Sequence, residues 1–275
     1  MIKRILVDLC GTQFTSSVVR HAVQLARFHA AELTAVSIVD MERLTRVGAV
    51  PVGTQQVLRD LCERRVEVTH HHIDAAVDEF TTACETAGVA YRVQREEGEP
   101  FGTMQQYVRY HDLLICGLRS LFEHEVVEEP PDELVRLVSS GVRPILAVAR
   151  DYGQVKRALI AYSGSVESAS TLKQFVQCNP WPDAIIGLVH FARSRSKGES
   201  LLADAVHYCR AHGVVAEPEV MTEPAAGRLL AFAHDWKADL LVVGNSARNL
   251  ILRRVFGEVA LETIRTATLP LFLAQ

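Results

Sequence analysis

The feature that most constrains this chain is that its order of segments occurs twice. Val155-Lys-Arg-Ala-Leu-Ile-Ala161 matches Ile2-Lys-Arg-Ile-Leu-Val-Asp8, and Ser163-Gly164-Ser165 falls where Cys10-Gly11-Thr12 fell. Ala184 to His190 repeats the β-branched run Leu33 to Val39. Cys209-Arg-Ala-His-Gly213 repeats Cys84-Glu-Thr-Ala-Gly88, and Thr222-Glu-Pro224 repeats Gly98-Glu-Pro100. Asp239-Leu-Leu-Val-Val-Gly244 repeats Asp112-Leu-Leu-Ile-Cys-Gly117, and Thr268-Leu-Pro270-Leu-Phe-Leu273 repeats Val142-Arg-Pro144-Ile-Leu-Ala147. So many matches in one order indicate a duplicated unit, with residues 1–150 and 155–275 as the two domains and the joint near Arg150 to Gln154. The second copy is the shorter one. Most of the difference falls in Asp40 to Gln55, where Gly48, Pro51 and Gly53 mark a long loop.

Each copy reads as strands separated by helix-length segments, the pattern of βαβ units with right-handed crossovers and a parallel sheet. Lys3 to Asp8 is a strand, Thr15 and Ser16 are capping residues, and Val18, Val19, Ala22, Val23, Leu25 and Ala26 recur at helical spacing. Helical spacing returns from Val66 to Ala87 and stops at Gly88, a C-cap residue. Tyr91 to Arg95 alternates as a strand, Gly98 to Pro100 turns, and a helix runs on to Tyr110.

Composition narrows the function. A formal charge of -4 supplies no basic field for nucleic acid or an anionic membrane, so any anion must be caught locally. Asp8 interrupts the first apolar run where a secretory core would continue, and no apolar run has the length to cross a bilayer. A cytoplasmic protein is expected. Cys10, Cys62, Cys84, Cys116, Cys178 and Cys209 lack CxxC spacing, which points to reduced thiols rather than disulfides or zinc.

With these residues in view, the sequence resembles the universal stress protein family in its tandem form, over nearly the whole chain. The resemblance rests on a first strand leading to an Asp-Gly-Ser-type turn, a Gly-Asp-Pro-type turn, an Asp-Leu-(aliphatic)-Gly strand, a G-x-x-G-x9-G-(Ser/Thr) loop and a last strand with proline. It implies an α/β fold of two tandem doubly wound domains, each a five-stranded parallel sheet of the adenine nucleotide alpha hydrolase-like type. It also implies a dimer across the last strand, which two fused copies would supply within one chain, with further homodimerisation left open. Members that bind nucleotide hold phosphate with the loop glycines, whose missing side chains let backbone N–H groups approach an anion at a helix N-terminus.

Carried over by position, the second copy offers Gly244, Ala247 for the second glycine, Arg248 beside it, Gly257, and Glu258 for Ser/Thr. Ser163 and Gly164 stand at the Asp-Gly position, and Val189 and His190 at the base side. Glu258 is the departure that matters. A carboxylate about 4 Å from a phosphate oxygen costs roughly 4 kcal/mol at an effective dielectric near 20, several times what a neutral hydrogen bond contributes. Arg248, Arg253, Arg254 or a divalent cation would offset it; otherwise Glu258 itself caps the helix that starts there. The first copy lacks the last glycine and gathers Glu123, Glu125, Glu128, Glu129, Asp132 and Glu133 where phosphate would lie. It is expected to bind no nucleoside triphosphate in the family manner.

Three features have rival readings. Ser163-Gly-Ser-Val-Glu-Ser168 loosely matches the SGGxDS loop of ATP pyrophosphatases, against a plain turn in which Ser165 caps a helix. His70-His71-His72 suggests a metal site, but consecutive helical residues diverge, and a solvated face is expected. Arg193-Ser-Arg195-Ser-Lys197 reads as a small basic loop after the second strand. No Ser-His-Asp, Cys-His or paired-carboxylate arrangement follows from spacing, so no catalytic or metal residue is assigned. The expected function is a non-catalytic, stress-linked binding or regulatory module with an altered adenine-nucleotide site, for ATP with or without magnesium, in the second copy. A nucleotide-independent protein-interaction scaffold is the alternative, and a slow ATPase or pyrophosphatase-like enzyme the third.

Overall fold

The apolar runs form strands buried on both faces, as parallel strands between helices must be. The architecture is taken from a computed structural model, which describes residues 1–45, 55–119, 137, 144–225, 227–244 and 258–274. The first half runs β1 (Arg4–Asp8), α1 (Thr15–His29), β2 (Glu32–Val39), α2 (Met41–Thr45), α3 (Gln55–Ala87), β3 (Tyr91–Glu97), α4 (Pro100–Val108), β4 (Leu113–Gly117) and β5 (Ile145–Val148). The second runs β6 (Arg157–Ala161), α5 (Val166–Cys178), β7 (Ile185–Phe191), α6 (Arg195–Ala211), β8 (Ala216–Met221), α7 (Leu229–Asp235), β9 (Leu240–Gly244), α8 (Glu258–Thr266) and β10 (Leu271–Ala274).

Among the described residues the strands form one ten-stranded sheet in the order β3-β2-β1-β4-β5-β10-β9-β6-β7-β8. Read outward from the centre, each half has the same topology. Within a half the described pairings are parallel; the halves meet antiparallel, with Leu146 opposite Phe272. The expected five-stranded units are therefore present and joined edge to edge across their last strands. Right-handed crossovers put α1 and α3 on one face, where they pack together, and α4 on the other, against β2.

The repeated Asp-Leu-Leu has a structural cause. Asp112 Oδ2 accepts from the backbone N–H of Lys3 and Arg4 at 2.8 and 3.1 Å, and Asp239 Oδ2 accepts from Lys156 and Arg157 at 2.9 Å each. Each aspartate thus pins the start of its half's central strand to the strand beside it. The glycines after Cys84 and Cys209 also agree, since Gly88 and Gly213 end their helices at φ 65° and 75°. Both cysteines are fully buried, and burial pushes their thiols up to about 12 and about 11, far from the range of a reactive thiolate. None of the six cysteines is in a disulfide.

Four local expectations are corrected. Thr15 and Ser16 lie inside α1, whose N-cap is Phe14 without a side-chain bond; the local anchor is Thr12 Oγ1, which accepts from Phe14 N–H at 3.3 Å. The loop from Asp40 to Gln55 contains the short helix α2, and its residues 46–54 lie outside the described part. Helix α3 starts at Gln55 rather than Val66. Its first turns are largely exposed and show no apolar period to read, yet they consist of good helix formers and carry a Gln56 to Asp60 bond at 3.0 Å. Arg195 and Lys197 form the first turn of α6 rather than a loop, behind the N-cap Ser194.

The turns before α4 and α7 also differ. Glu99 caps α4 through the N–H groups of Phe101 and Gly102 at 3.0 and 2.6 Å, with Pro100 in the first turn. Glu223 instead pairs with Arg228 at 2.5 Å, and α7 begins only at Leu229. At the ends of the sheet, β8 carries Pro218 between Glu217 and Glu219, and β3 carries Arg92, bonded to Glu32 at 2.7 Å. Charge and proline on edge strands discourage pairing with another chain.

Candidate functional site

Strand order locates the place where a ligand would sit. From β6 the chain moves outward to β7 and β8, then returns across β6 to β9, so the carboxyl ends of β6 and β9 flank a topological switch point, the usual crevice of open α/β sheets. Ser163 and Gly164 follow β6 at this point, Gly244 ends β9, and Val189 and His190 lie near the end of β7. The structure thus brings five of the candidate residues to one rim. Ala247, Arg248 and Gly257 lie outside the described residues, as does the side chain of Glu258, whose backbone opens α8.

The turn after β6 is a net of hydroxyls. Ser163 Oγ lies 3.2 Å from Ser165 Oγ and 3.1 Å from Ser168 Oγ, and accepts from Ser165 N–H at 3.3 Å. Ser165 caps α5 by accepting from Ser168 N–H at 3.2 Å. Local capping accounts for the serines, which is the plainer of the two readings of Ser163 to Ser168. Ser163 and Gly164 nevertheless stay exposed. His190 is half-buried, and its Nδ1 lies 2.7 Å from the Tyr162 carbonyl. A carbonyl only accepts, so Nδ1 carries the proton, and Nε2 of the neutral ring is left as an acceptor. Val189 is fully buried, and its carbonyl accepts from Tyr162 N–H at 2.9 Å.

Both described glycines of the site have a local structural reason, a left-handed backbone at Gly164 and close packing at Gly244. Gly164 has φ 78°, and a β-carbon there would lie 2.5 Å from Leu201 Cδ1 of α6. At Gly244 a β-carbon would lie 2.6 Å from Thr171 Oγ1. Thr171 is buried on α5, with its hydroxyl 3.0 Å from the Glu167 carbonyl and 3.1 Å from that of Ala274, so it ties α5 to β10 directly over Gly244. Leu201 and Thr171 were not visible as site residues, because nothing in spacing reports which helix side chain reaches which turn.

Among the described residues, the equivalent rim of the first half is more buried. Cys10, at the position of Ser163, is buried and donates its thiol to the buried Asp8 carboxylate at 3.1 Å. Gly11 has φ 68°, and a β-carbon there would lie 2.7 Å from the His72 backbone of α3. Arg119, in the residues after β4, reaches into the second half, with Nη2 3.4 Å from the carbonyls of Arg265 and Ala267 at the C-terminal end of α8. A guanidinium there complements the helix dipole. The acidic run from Glu123 to Glu133 lies outside the described residues. The run His70 to His72 lies along α3, and the described residues hold no group of three or more histidines, cysteines or carboxylates able to bind a metal ion.

Comparison with known proteins agrees with the fold. Residues 193–275 match the model of the universal stress protein family. The universal stress protein Slr1230 of Synechocystis is 19% identical over 282 residues, which cover 98% of both chains. The chain is thus similar to universal stress proteins, through the family model in its second half and through this relative over nearly its whole length. The fold is also that of a crystal structure of a universal stress protein from Archaeoglobus fulgidus, with a TM-score of 0.66 at 16% identity, covering 99% of this chain and 96% of that one. A structure from Pseudomonas aeruginosa PAO1, of a protein without known function, matches with a TM-score of 0.61 at 14% identity over 99% and 92%. Likeness at these identities establishes the α/β fold. Among the described residues no helix is long and apolar enough to cross a membrane.

Proposed function

We propose that this chain is a tandem universal stress protein, a non-catalytic, stress-linked binding and regulatory module of two units, residues 1–150 and 155–275, with an altered adenine-nucleotide site in the second. The observation that carries the reading is the asymmetry of the two rims. Ser163 and Gly164 are exposed at the switch point beside an acceptor-bearing His190, whereas Cys10 is buried against Asp8 and Arg119 is bonded to α8. Phosphate would meet the residues around Gly244, Ala247, Arg248 and Gly257, with Arg248 or magnesium offsetting Glu258.

The test is to denature the purified full chain and look for adenine nucleotide by ultraviolet absorbance and mass spectrometry, then to titrate ATP, ADP and AMP with and without magnesium by calorimetry. Bound nucleotide that is lost in Gly257→Asp supports the reading. No retained nucleotide, no heat and no thermal shift would sink it.

A second reading is favoured by one observation. Gly164 is accounted for by its left-handed backbone and Gly244 by the approach of Thr171, with no ligand needed. On that reading the rims are packing features, and the joined halves serve as a protein-interaction scaffold. The same titrations separate the two readings.

A further inference from the structure

A cleft of about 210 Å³ lies where the two halves meet, away from both rims. Three separate segments line it: Gln24, Leu25 and Phe28 from the last turns of α1, Lys156 from the start of the second half, and Trp181 and Asp183 from the turn between α5 and β7. Neither half contains the cleft alone. Leu25 is fully buried and Trp181 is 8% exposed, while Phe28 stands at the entrance with 56% of its surface exposed. The lining therefore combines an apolar, partly aromatic surface with polar side chains, and the volume is smaller than that of an ordinary drug-sized site.

The polar groups around these walls come in complementary kinds. Trp181 Nε1 is a donor and Gln24 Oε1 an acceptor, and both are buried with no hydrogen-bond partner among the described residues. Lys156 and Asp183 are exposed, and among the described residues neither the Lys156 ammonium nor the Asp183 carboxylate has an ion-pair or hydrogen-bond partner. One positive and one negative charge, one donor, one acceptor and an apolar slot form a pattern that neither a simple anion nor a simple cation matches.

We propose that this cleft binds a small zwitterion, an α-amino acid with an aromatic or branched side chain. The ligand carboxylate lies toward Lys156 and the Trp181 indole N–H. Its ammonium lies toward Asp183 and the Gln24 carboxamide oxygen. The side chain enters between Phe28 and Trp181. Because the indole and carboxamide atoms are shut off from water, entry requires the Gln24 side chain to rotate, after which both atoms gain partners. The site is independent of any nucleotide at the second-half rim.

The experiment uses the full chain labelled with ¹⁵N. It contains two tryptophans, so it gives two indole N–H signals, assigned with Trp181→Phe. Titration with phenylalanine and leucine to millimolar concentration is expected to move the Trp181 signal saturably, while that of Trp236 stays in place. Phenethylamine, which lacks the carboxylate, is expected to bind at least about tenfold more weakly, as are both amino acids in Lys156→Gln and Asp183→Asn, since each change cuts a charge-assisted bond. Both variants alter exposed side chains and should keep the parent melting temperature, so lost binding would report the site rather than the fold. A Trp181 signal that does not move, or affinities equal across ligands and variants, would overturn the proposal.

Discussion

His21 is fully buried on the face of α1 that meets the second half, and neither ring nitrogen has a hydrogen-bond partner among the described residues. Its ring lies 4.7 Å from that of Tyr152, over which the Arg20 guanidinium stacks at 3.9 Å. Burial, and then the charge of Arg20, lower its pKa to about 4, against about 6.5 in an unfolded chain. The unfolded state therefore takes up the proton first. The contribution of neutral His21 to stability is complete above about pH 6.5 and is withdrawn as the pH falls toward 4, by up to about 1.4 kcal/mol per pH unit. His29 and His111 are shifted downward by burial as well, which steepens the same limb. In His21→Leu, the gap between urea midpoints at pH 7 and pH 5 should narrow relative to the parent chain. An unchanged gap would show that His21 is not the group responsible. The sequence displayed this histidine only as one more residue in an amphipathic helix, because burial without a partner is a property of what lies opposite.

At the scale of the element, much was legible where local chemistry decides the outcome. Gly88 and Gly213 ended helices, Pro100 opened one, and the apolar runs became buried strands. What stayed hidden was set by contacts between elements. The first turns of α3 have no buried face to impose a period, and the close approaches to Gly164 and Gly244 come from helices remote in the chain. The paired aspartates fall between these cases: the repeat made Asp112 and Asp239 visible, but not that they hold strand ends. Each accepts two backbone N–H bonds, so Asp239→Ala should destabilise the chain by about 2–3 kcal/mol, and Asp112→Ala by a similar amount, in denaturant unfolding at neutral pH. A loss under about 0.5 kcal/mol in both would mean that water replaces these bonds without penalty.

For the whole molecule, the antiparallel seam is the decisive feature. Leu146 and Phe272 are fully buried there, and separating the halves would leave β5 and β10 as apolar edges with none of the charge and proline that protect β3 and β8. Expressed separately, residues 1–150 and 155–275 should therefore pair with themselves or aggregate, and recombine when produced together, as read by size-exclusion chromatography with light scattering. Stable monomers of both pieces would contradict this. The asymmetry across the seam has a genetic corollary. In an assembly of two identical subunits every substitution is inherited by both sites at once, so a change that closes one closes the other. Here Cys10 and Ser163 are separate codons, and Arg119 could be committed to the neighbouring helix while its counterpart in the second half remained under its own selection.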